Sequence, residues 1–141
     1  MWRSSYNKYG NTKFVDSKGN KWDSKLEFNH YGYLIFLEKA KKISDLHRQV
    51  RIKLGTSKEC KAHYVADFTY FDMQKGKWIV CDVKGFETPE FKLKLKWLLD
   101  MYSDFVFEVV KAQGKVETYL PYGSGEIKMS EAINNALAKK A

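Results

Sequence analysis

Two neighbouring runs of β-branched and aromatic residues constrain the fold of this chain more than any other feature. The runs are HYVADFTYF (63–71) and KWIVCDVKG (77–85), and only DMQKG lies between them. So short a connection, with a glycine, predicts two antiparallel strands joined by a hairpin. A helical segment and then another strand, DFVFEVVK, follow, and a strand–helix–strand connection makes its two strands parallel. The sequence therefore predicts a mixed β-sheet with helices packed on it.

Segments on the N-terminal side extend this core. TKFVDSKGNKWDS has the turn cluster of a hairpin. Ser24 and Glu27 then have the spacing of a capping box, which predicts a helix running to about Lys41. The expected buried stripe of this helix comprises Leu26, Tyr33, Leu37 and Ala40. DLHRQVRIKL alternates, which predicts a half-buried strand with Val50, Ile52 and Leu54 on one face and Gln49, Arg51 and Lys53 on the other.

On the C-terminal side, Thr88 has the position of a helix N-cap and Pro89 that of the first helical residue. The buried stripe of that helix is expected at Phe91, Leu95, Leu98 and Tyr102. VETYLPYG predicts one more strand, and Ser130 is expected to cap a last helix at about 130–140. The predicted class is α/β: an αβββαβ core with an added N-terminal hairpin and C-terminal helix.

Length and composition limit the remaining possibilities. A chain of 141 residues predicts a single domain, 1–141, with its core at about 14–110 and a basic, aromatic arm at 1–13. Lys and Arg number 25 against 17 Asp and Glu, a net charge of +8, which favours a polyanionic partner such as nucleic acid. No apolar run has the length of a membrane span or the form of a secretory signal. We therefore expect a cytoplasmic protein that binds no membrane.

Asp82 and Lys84 are unusual because they continue the apolar run WIVC in a predicted strand. Side chains alternate along a strand, so these two residues share a face. If the turn is 73–76, Asp67 of the preceding strand lies opposite Asp82; if it is 75–76, Asp67 lies opposite Lys84. Either turn places all three side chains on one face within cross-strand reach.

Two adjacent carboxylates repel each other by about 4 kcal/mol at an effective dielectric near 20. A divalent cation removes this repulsion, and carboxylate oxygens are the ligands that Mg²⁺ prefers. Lys84 would then assist an attacking water or bind a phosphate oxygen. A third acid is expected from the first helix, with Glu27 as the first choice and Glu38 as the second, although the capping box alone also explains Glu27.

With these residues placed on helix, strand and strand, the sequence resembles the PD-(D/E)xK nuclease superfamily. The resemblance is closer to a small phage-associated family within it, through DSKGNKWDSKLEFNHYGYL, RQVRIKL, HYVADFTYFD and VCDVKGFETPEFKLKLKWL. It implies the αβββαβ fold, Mg²⁺ (or Mn²⁺) held by Glu27, Asp67, Asp82 and the Val83 carbonyl, and catalysis by the three acids with Lys84. Ala66 stands where the superfamily pattern has a proline.

Further residues are expected to contact DNA. Lys92 and Lys96 lie one helical turn apart, where they would grip phosphates, although solvated lysines have the same spacing. Gln49 would orient water or metal if its face of the strand is the active one. Arg3, Lys8 and Lys13 are interleaved with aromatic residues, a pattern that suits phosphate contact and base stacking and equally suits an arm packed on the body.

The sequence and the resemblance together predict a Mg²⁺-dependent endodeoxyribonuclease that uses a metal-activated water. Branched or junction DNA is the favoured substrate, as for a phage Holliday junction resolvase, and a symmetric homodimer is the expected state because two strands must be cut. No small-molecule cofactor is expected. One alternative is a nuclease that nicks or cuts duplex DNA regardless of its structure. Another, of a different class, is a DNA-binding module without catalytic activity.

Overall fold

Runs of β-strands separate the α-helices of this protein. The structure, a computed structural model, describes residues 4–6 and 12–140. The strands are β1 (Ser4–Tyr6), β2 (Thr12–Val15), β3 (Lys21–Trp22), β4 (Ile43–Lys53), β5 (His63–Asp72), β6 (Lys77–Val83), β7 (Tyr102–Ser103), β8 (Phe105–Val110), β9 (Val116–Tyr119) and β10 (Ile127–Lys128). The helices are α1 (Lys25–Lys39), α2 (Pro89–Met101) and α3 (Met129–Lys140), and a 3₁₀ turn covers Ala112–Gly114. Within the described residues, no helix is long and apolar enough to cross a membrane.

The central sheet is mixed, as predicted. Its five strands lie in the order β4-β5-β6-β8-β9. β6 and β8, which α2 connects, are parallel, and the other neighbours are antiparallel. Two small sheets accompany it: β1, β2 and β3 form an antiparallel group, and β7 pairs with β10 in parallel. The sheet lies between helices, because separate apolar clusters cover its two faces.

One face packs against α2 and α3. The α2 residues Phe91, Leu95, Leu98 and Leu99 join β-strand residues and the α3 residues Met129 and Ile133 in a single cluster. All four residues of the predicted stripe are buried, but the last of them, Tyr102, lies just past α2 in β7. Thr88 caps the helix as predicted, since its Oγ1 accepts a bond from Phe91 N at 3.1 Å. Burial of each large apolar side chain here contributes roughly 1.5–3 kcal/mol.

The other face packs against α1, where the predicted stripe was wrong in part. Ser24 caps the helix as predicted, and its Oγ accepts from Glu27 N at 3.0 Å. Leu34, however, is the fully buried apolar residue of this helix, whereas Tyr33 is 55% exposed and Ala40 is an exposed C-cap beyond its last residue. Leu34 lies two turns after Glu27 and so shares its face. Glu27 itself points inward. The buried face of α1 is therefore rotated away from the face that its apolar residues alone would predict.

At the C-terminus, Ser130 does not cap α3. Ile127 and Lys128 pair with β7 and lead directly into the helix, so that Met129 is its first residue and Ser130 lies in its first turn. The predicted end near Lys140 is correct. Met129 and Ile133 are fully buried and fix this helix beside β4.

The turn between β5 and β6 selects one of the two registers that the sequence allowed. Asp72 pairs with Lys77, so the loop is 73–76. The Asp72 carboxylate stabilises it by accepting bonds from Gln74 N and Lys75 N, both at 2.9 Å, and Gly76 supplies the positive φ of +64°. This register brings Asp67 towards Asp82.

Candidate active site

β5 and β6 separate where Asp67 and Asp82 face each other. Their ladder ends at the pair Phe68–Cys81. Beyond it, β5 continues only beside β4 and β6 only beside β8. Two side-chain bonds replace the ladder: Asp67 N donates to Asp82 Oδ1, and Val83 N donates to Asp67 Oδ2, both at 2.9 Å. Each carboxylate therefore binds a backbone N–H of the opposite strand. We call this place, where β5 and β6 separate beside Asp67 and Asp82, the fork.

Regular alternation does not continue through this fork. On β5, Ala66 belongs to the cluster under α2 and α3, whereas Phe68 belongs to the cluster under α1. β4 changes face at the same level, between Arg48 and Val50, where Gln49 has a positive φ of +51°. The prediction of one continuous face for all three charged side chains was thus wrong in its geometry. Asp67 lies at the change of face and is still adjacent to Asp82.

The fork brings together groups from both faces of the sheet. Asp82 follows Val80 on the face that α2 covers and is 1% exposed. Glu27 comes from α1 on the opposite face and is 2% exposed. Its Oε1 accepts a bond from Asp23 N at 3.3 Å, so the reciprocal bond that a capping box directs to the N-cap N–H is made with the residue before the N-cap. The same carboxylate thus binds the backbone just before α1 begins and enters the site.

Gln49 connects Glu27 to Asp67. Its Nε2 donates to Glu27 Oε2 at 3.3 Å and to Asp67 Oδ1 at 3.4 Å. The positive φ of Gln49 turns an edge-strand side chain towards the fork. Glu38, the second choice for the acid of the first helix, lies elsewhere: its Oε2 accepts from Leu46 N at 3.4 Å.

Burial makes ionisation of the carboxyl groups in this cluster unfavourable. It raises the pKa of Glu27 to about 9, and the neighbouring charge of Asp67 adds to the effect. Burial likewise raises the pKa of Asp82 to about 6, against the opposing influence of Lys84 and the Asp67 N–H. The folded chain therefore maintains a buried group of carboxyls at a cost in free energy.

Lys84 is the cation beside this group. Its Nζ lies 3.5 Å from Asp82 Oδ2 and 4.8 Å from the centroid of the Phe91 ring on α2. The side chain is 29% exposed, so the ammonium is open to solvent on one side. Lys84 can therefore contact both the buried carboxylate and an anion that approaches from outside.

The other predicted binding residues are less closely tied to the fork. Lys92 and Lys96 are exposed on α2, and Lys13 is 51% exposed and lies 3.9 Å from Asp23. Arg3 and Lys8 lie outside the described residues. Their contacts with DNA stay predictions. The carbonyl of Val83 also stays a predicted ligand; what the structure shows for Val83 is the N–H that donates to Asp67.

His30 is a residue near the site for which the sequence analysis predicted no role. It lies one turn after Glu27, and its Nε2 is buried with no hydrogen-bond partner among the described residues. Burial lowers the pKa of His30 despite the nearby Glu108 and Asp67. Only its helical spacing from Glu27 could have indicated its position.

The donor set fits a hard divalent cation in chemistry but is not arranged as a finished metal centre. Three carboxyl groups gather at the fork, and carboxylate oxygens are what Mg²⁺ and Mn²⁺ select. Yet no three His, Cys, Asp or Glu side chains of the described residues converge as metal ligands. Asp67 and Asp82 instead direct oxygens to backbone N–H groups. The other oxygen of each carboxylate, Asp67 Oδ1 and Asp82 Oδ2, lies beside Gln49 Nε2 and Lys84 Nζ.

Comparison with known proteins places the chain in a family. Residues 6–117 match a family model described as "Protein of unknown function (DUF1064)". No curated protein and no solved structure matches the chain. The matched segment contains β2 to β8, and so includes Glu27, Gln49, Asp67, Asp82 and Lys84. Because it covers most of the 141 residues, the chain belongs to the DUF1064 family.

Proposed function

We propose that this protein is a metal-dependent endodeoxyribonuclease of the PD-(D/E)xK type. The observation that carries the proposal is the meeting of Glu27, Asp67, Asp82 and Lys84 at one fork in a mixed sheet. Glu27 comes from α1, Asp67 from β5, and Asp82 and Lys84 from the end of β6 and the residue after it, which is the arrangement that the resemblance to this superfamily implies. A purely structural role does not explain why a chain would bury Glu27 and Asp82 beside Asp67 at such a cost.

The residues of the chain divide the work of hydrolysis. Glu27, Asp67 and Asp82 form an acidic centre in which a divalent cation, when bound, would neutralise charge and lower the pKa of a water. Gln49 holds two of these carboxyls in position. Lys84, anchored beside Asp82 and open to solvent, orients the attacking water or binds a non-bridging phosphate oxygen. The net charge of +8 favours approach of a polyanionic strand.

Cleavage assays with matched variants test this proposal. Wild-type protein should cut DNA with Mg²⁺ or Mn²⁺ and not with EDTA. Asp82→Asn and Lys84→Ala should lower the rate by about 100-fold or more. Asp104→Asn is the control, because Asp104 is an exposed aspartate with a positive φ of +61° that asparagine tolerates. If the wild type cuts no form of DNA, the enzymatic proposal is wrong; DNA binding without cleavage would then indicate the non-catalytic module.

Cation binding has its own readout in thermal unfolding. Mg²⁺ or Mn²⁺ should raise the Tm of the wild type, because a ligand that binds only the folded state stabilises it. Asp82→Asn should lose this rise, and Asp104→Asn should keep it. A wild type whose Tm is the same with Mg²⁺, Mn²⁺ and EDTA would contradict a shared carboxylate site.

Branched DNA is the substrate that we favour. A four-way junction and its separate linear arms, at equal concentration, should be cut at different rates, with the junction faster. Equal rates would leave the nuclease proposal intact and remove the preference for junctions. Cross-linking or light scattering would show whether the active species is the homodimer that cutting two strands requires.

A further inference from the structure

A cavity of about 540 Å³ lies between the edge strand β4 and α3. Its floor is apolar and includes Tyr102, Ile127, Ala136 and Leu137. Tyr102 is 3% exposed, and its hydroxyl donates to Lys53 O at 2.7 Å, so its ring is held in place. This volume lies within the range of roughly 300–1,000 Å³ that is typical of small-molecule sites. It is too small for a duplex and large enough for one nucleotide.

The rim of the cavity is basic. The charged residues that line it are Arg51, Lys53, Lys139 and Lys140, together with the titratable His63, and Glu131 is the acid among its lining residues. Arg51, Lys139 and Lys140 are exposed. An apolar floor under a cationic rim matches the two parts of a nucleotide, a base with flat apolar faces and a phosphate.

The cavity and the candidate active site share one residue, Gln49. This residue lines the cavity and also donates to Glu27 and Asp67. The main chain of β4 thus passes directly from the fork to the cavity. A DNA strand whose phosphodiester lies at the fork would place a neighbouring nucleotide at this rim.

We infer that the cavity between β4 and α3 binds one unpaired nucleotide of a DNA strand next to the cleaved phosphodiester. This inference rests on the proposed nuclease function and deepens it: among branched DNAs, one with an unpaired nucleotide at the branch or flap should be bound more tightly than a fully paired four-way junction. A paired base cannot enter, because its partner strand would meet β4 and α3. The basic rim selects a nucleotide over an apolar peptide or a second copy of this basic chain.

Two adjacent asparagines on α3 provide a matched test. Asn135 and Asn134 are both exposed, but only Asn135 lines the cavity. Asn135→Trp should fill the cavity and lower the affinity for a fluorescein-labelled 5′-flap DNA in EDTA about tenfold, while leaving affinity for the fully paired duplex unchanged. Asn134→Trp should change neither. Fluorescence anisotropy gives the affinities, and circular dichroism checks that both variants fold.

The charge of the rim is tested separately. Lys139→Ala should lower affinity for flap DNA and reduce the slope of log Kd against log salt by about one contact. Lys128→Ala is the control, an exposed lysine that does not line the cavity. Equal effects of Lys139→Ala and Lys128→Ala on flap binding would overturn the assignment of the rim to a phosphate.

Failure of the inference differs from failure of the proposed function. If the protein cleaves DNA but Asn135→Trp binds flap DNA as tightly as Asn134→Trp, the cavity is not a nucleotide site and the nuclease proposal stands. If no DNA is cleaved but Asn135→Trp alone loses flap binding, the cavity is a nucleotide site in a protein that is not a nuclease.

Discussion

Helices α1 and α2 have the same kind of N-terminal side-chain cap, but the side chains that they bury differ in polarity. Each has a side-chain cap, Ser24 for α1 and Thr88 for α2, and each packs on one face of the central sheet. The buried side of α2 is wholly apolar. The buried side of α1 contains Glu27 and, as its only fully buried apolar residue in the described part of the chain, Leu34.

The two helices therefore affect the free energy of the folded state in opposite directions. The packing of α2 lowers the free energy of the folded state, and that is sufficient to explain its sequence. The position of Glu27 in α1 raises that free energy, because a carboxyl is removed from water beside another. Substitutions in α2 should therefore change stability first, and substitutions in α1 should change the site first.

The largest effect on stability is expected in α2. Leu98→Ala should lower the free energy of unfolding by about 3 kcal/mol, because Leu98 is fully buried and the substitution leaves a cavity. Leu93→Ala on the same helix should change it by less than about 0.5 kcal/mol, since Leu93 is 65% exposed. Urea denaturation measures both. Similar losses would show that α2 does not form the core as described.

In α1, a substitution at the buried carboxyl should raise the free energy of unfolding instead of lowering it. Glu27→Gln should raise the free energy of unfolding of the metal-free protein by about 1–2 kcal/mol at pH 8. A carboxyl whose pKa is raised from 4.5 to about 9 binds its proton more tightly when the chain is folded. Its favourable contribution is therefore present below pH 4.5 and is lost as the pH rises towards 9. The gain from Glu27→Gln should be absent at pH 4 and grow with pH.

In the same denaturation series, the change in the free energy of unfolding caused by Asp104→Asn should depend on pH in the opposite direction. A hydrogen bond from Lys77 Nζ holds the pKa of Asp104 below its ordinary value of 3.8. Its contribution is thus present above pH 3.8 and is lost as the pH falls. A gain on Asp104→Asn that grows with pH, or no gain on Glu27→Gln at pH 8, would contradict the contrast between buried and exposed carboxyls.

The two caps should have a smaller effect on stability than the core residue Leu98. Ser24→Ala and Thr88→Ala should each cost about 1 kcal/mol of stability. Only Ser24→Ala should also weaken stabilisation by Mg²⁺, because Ser24 fixes the turn that places Glu27, whereas the first acid of α2, Glu90, is exposed and pairs with Lys94. A Mg²⁺ titration followed by Tm separates the two. An equal response of both variants would mean that the α1 cap does not position the site.

Local patterns predicted much of this fold. The caps of α1 and α2, the α2 stripe and the mixed sheet follow from short-range rules on caps, helical spacing and connection length, whereas the cap predicted at Ser130 was wrong. The choice of Glu27 over Glu38, and of Asp67 and Asp82 as neighbours, also agrees with where these side chains lie. The sequence allowed two positions for the turn between β5 and β6, and the observed turn at 73–76 sets the register of these strands.

Other features depend on contacts that are distant in sequence. The change of face at Gln49 and Asp67 arises where two strands separate, and alternation along one strand does not reveal it. The inward direction of Glu27 rotates α1, and an apolar pattern cannot indicate a buried carboxyl. The cavity beside β4 exists because α3, some 80 residues later in the chain, packs there.

The positive φ of Gln49 has a consequence for solubility. β4 is an edge strand of the central sheet, and a long regular edge invites pairing with another molecule. Asp45 and Gln49 both interrupt the extended backbone of β4, and Lys140 Nζ occupies the carbonyl of Arg48 at 2.8 Å. An incoming strand would find neither a straight partner nor a full row of acceptors. The distortion that turns Gln49 towards the carboxyls thus also protects the chain from aggregating through its sheet.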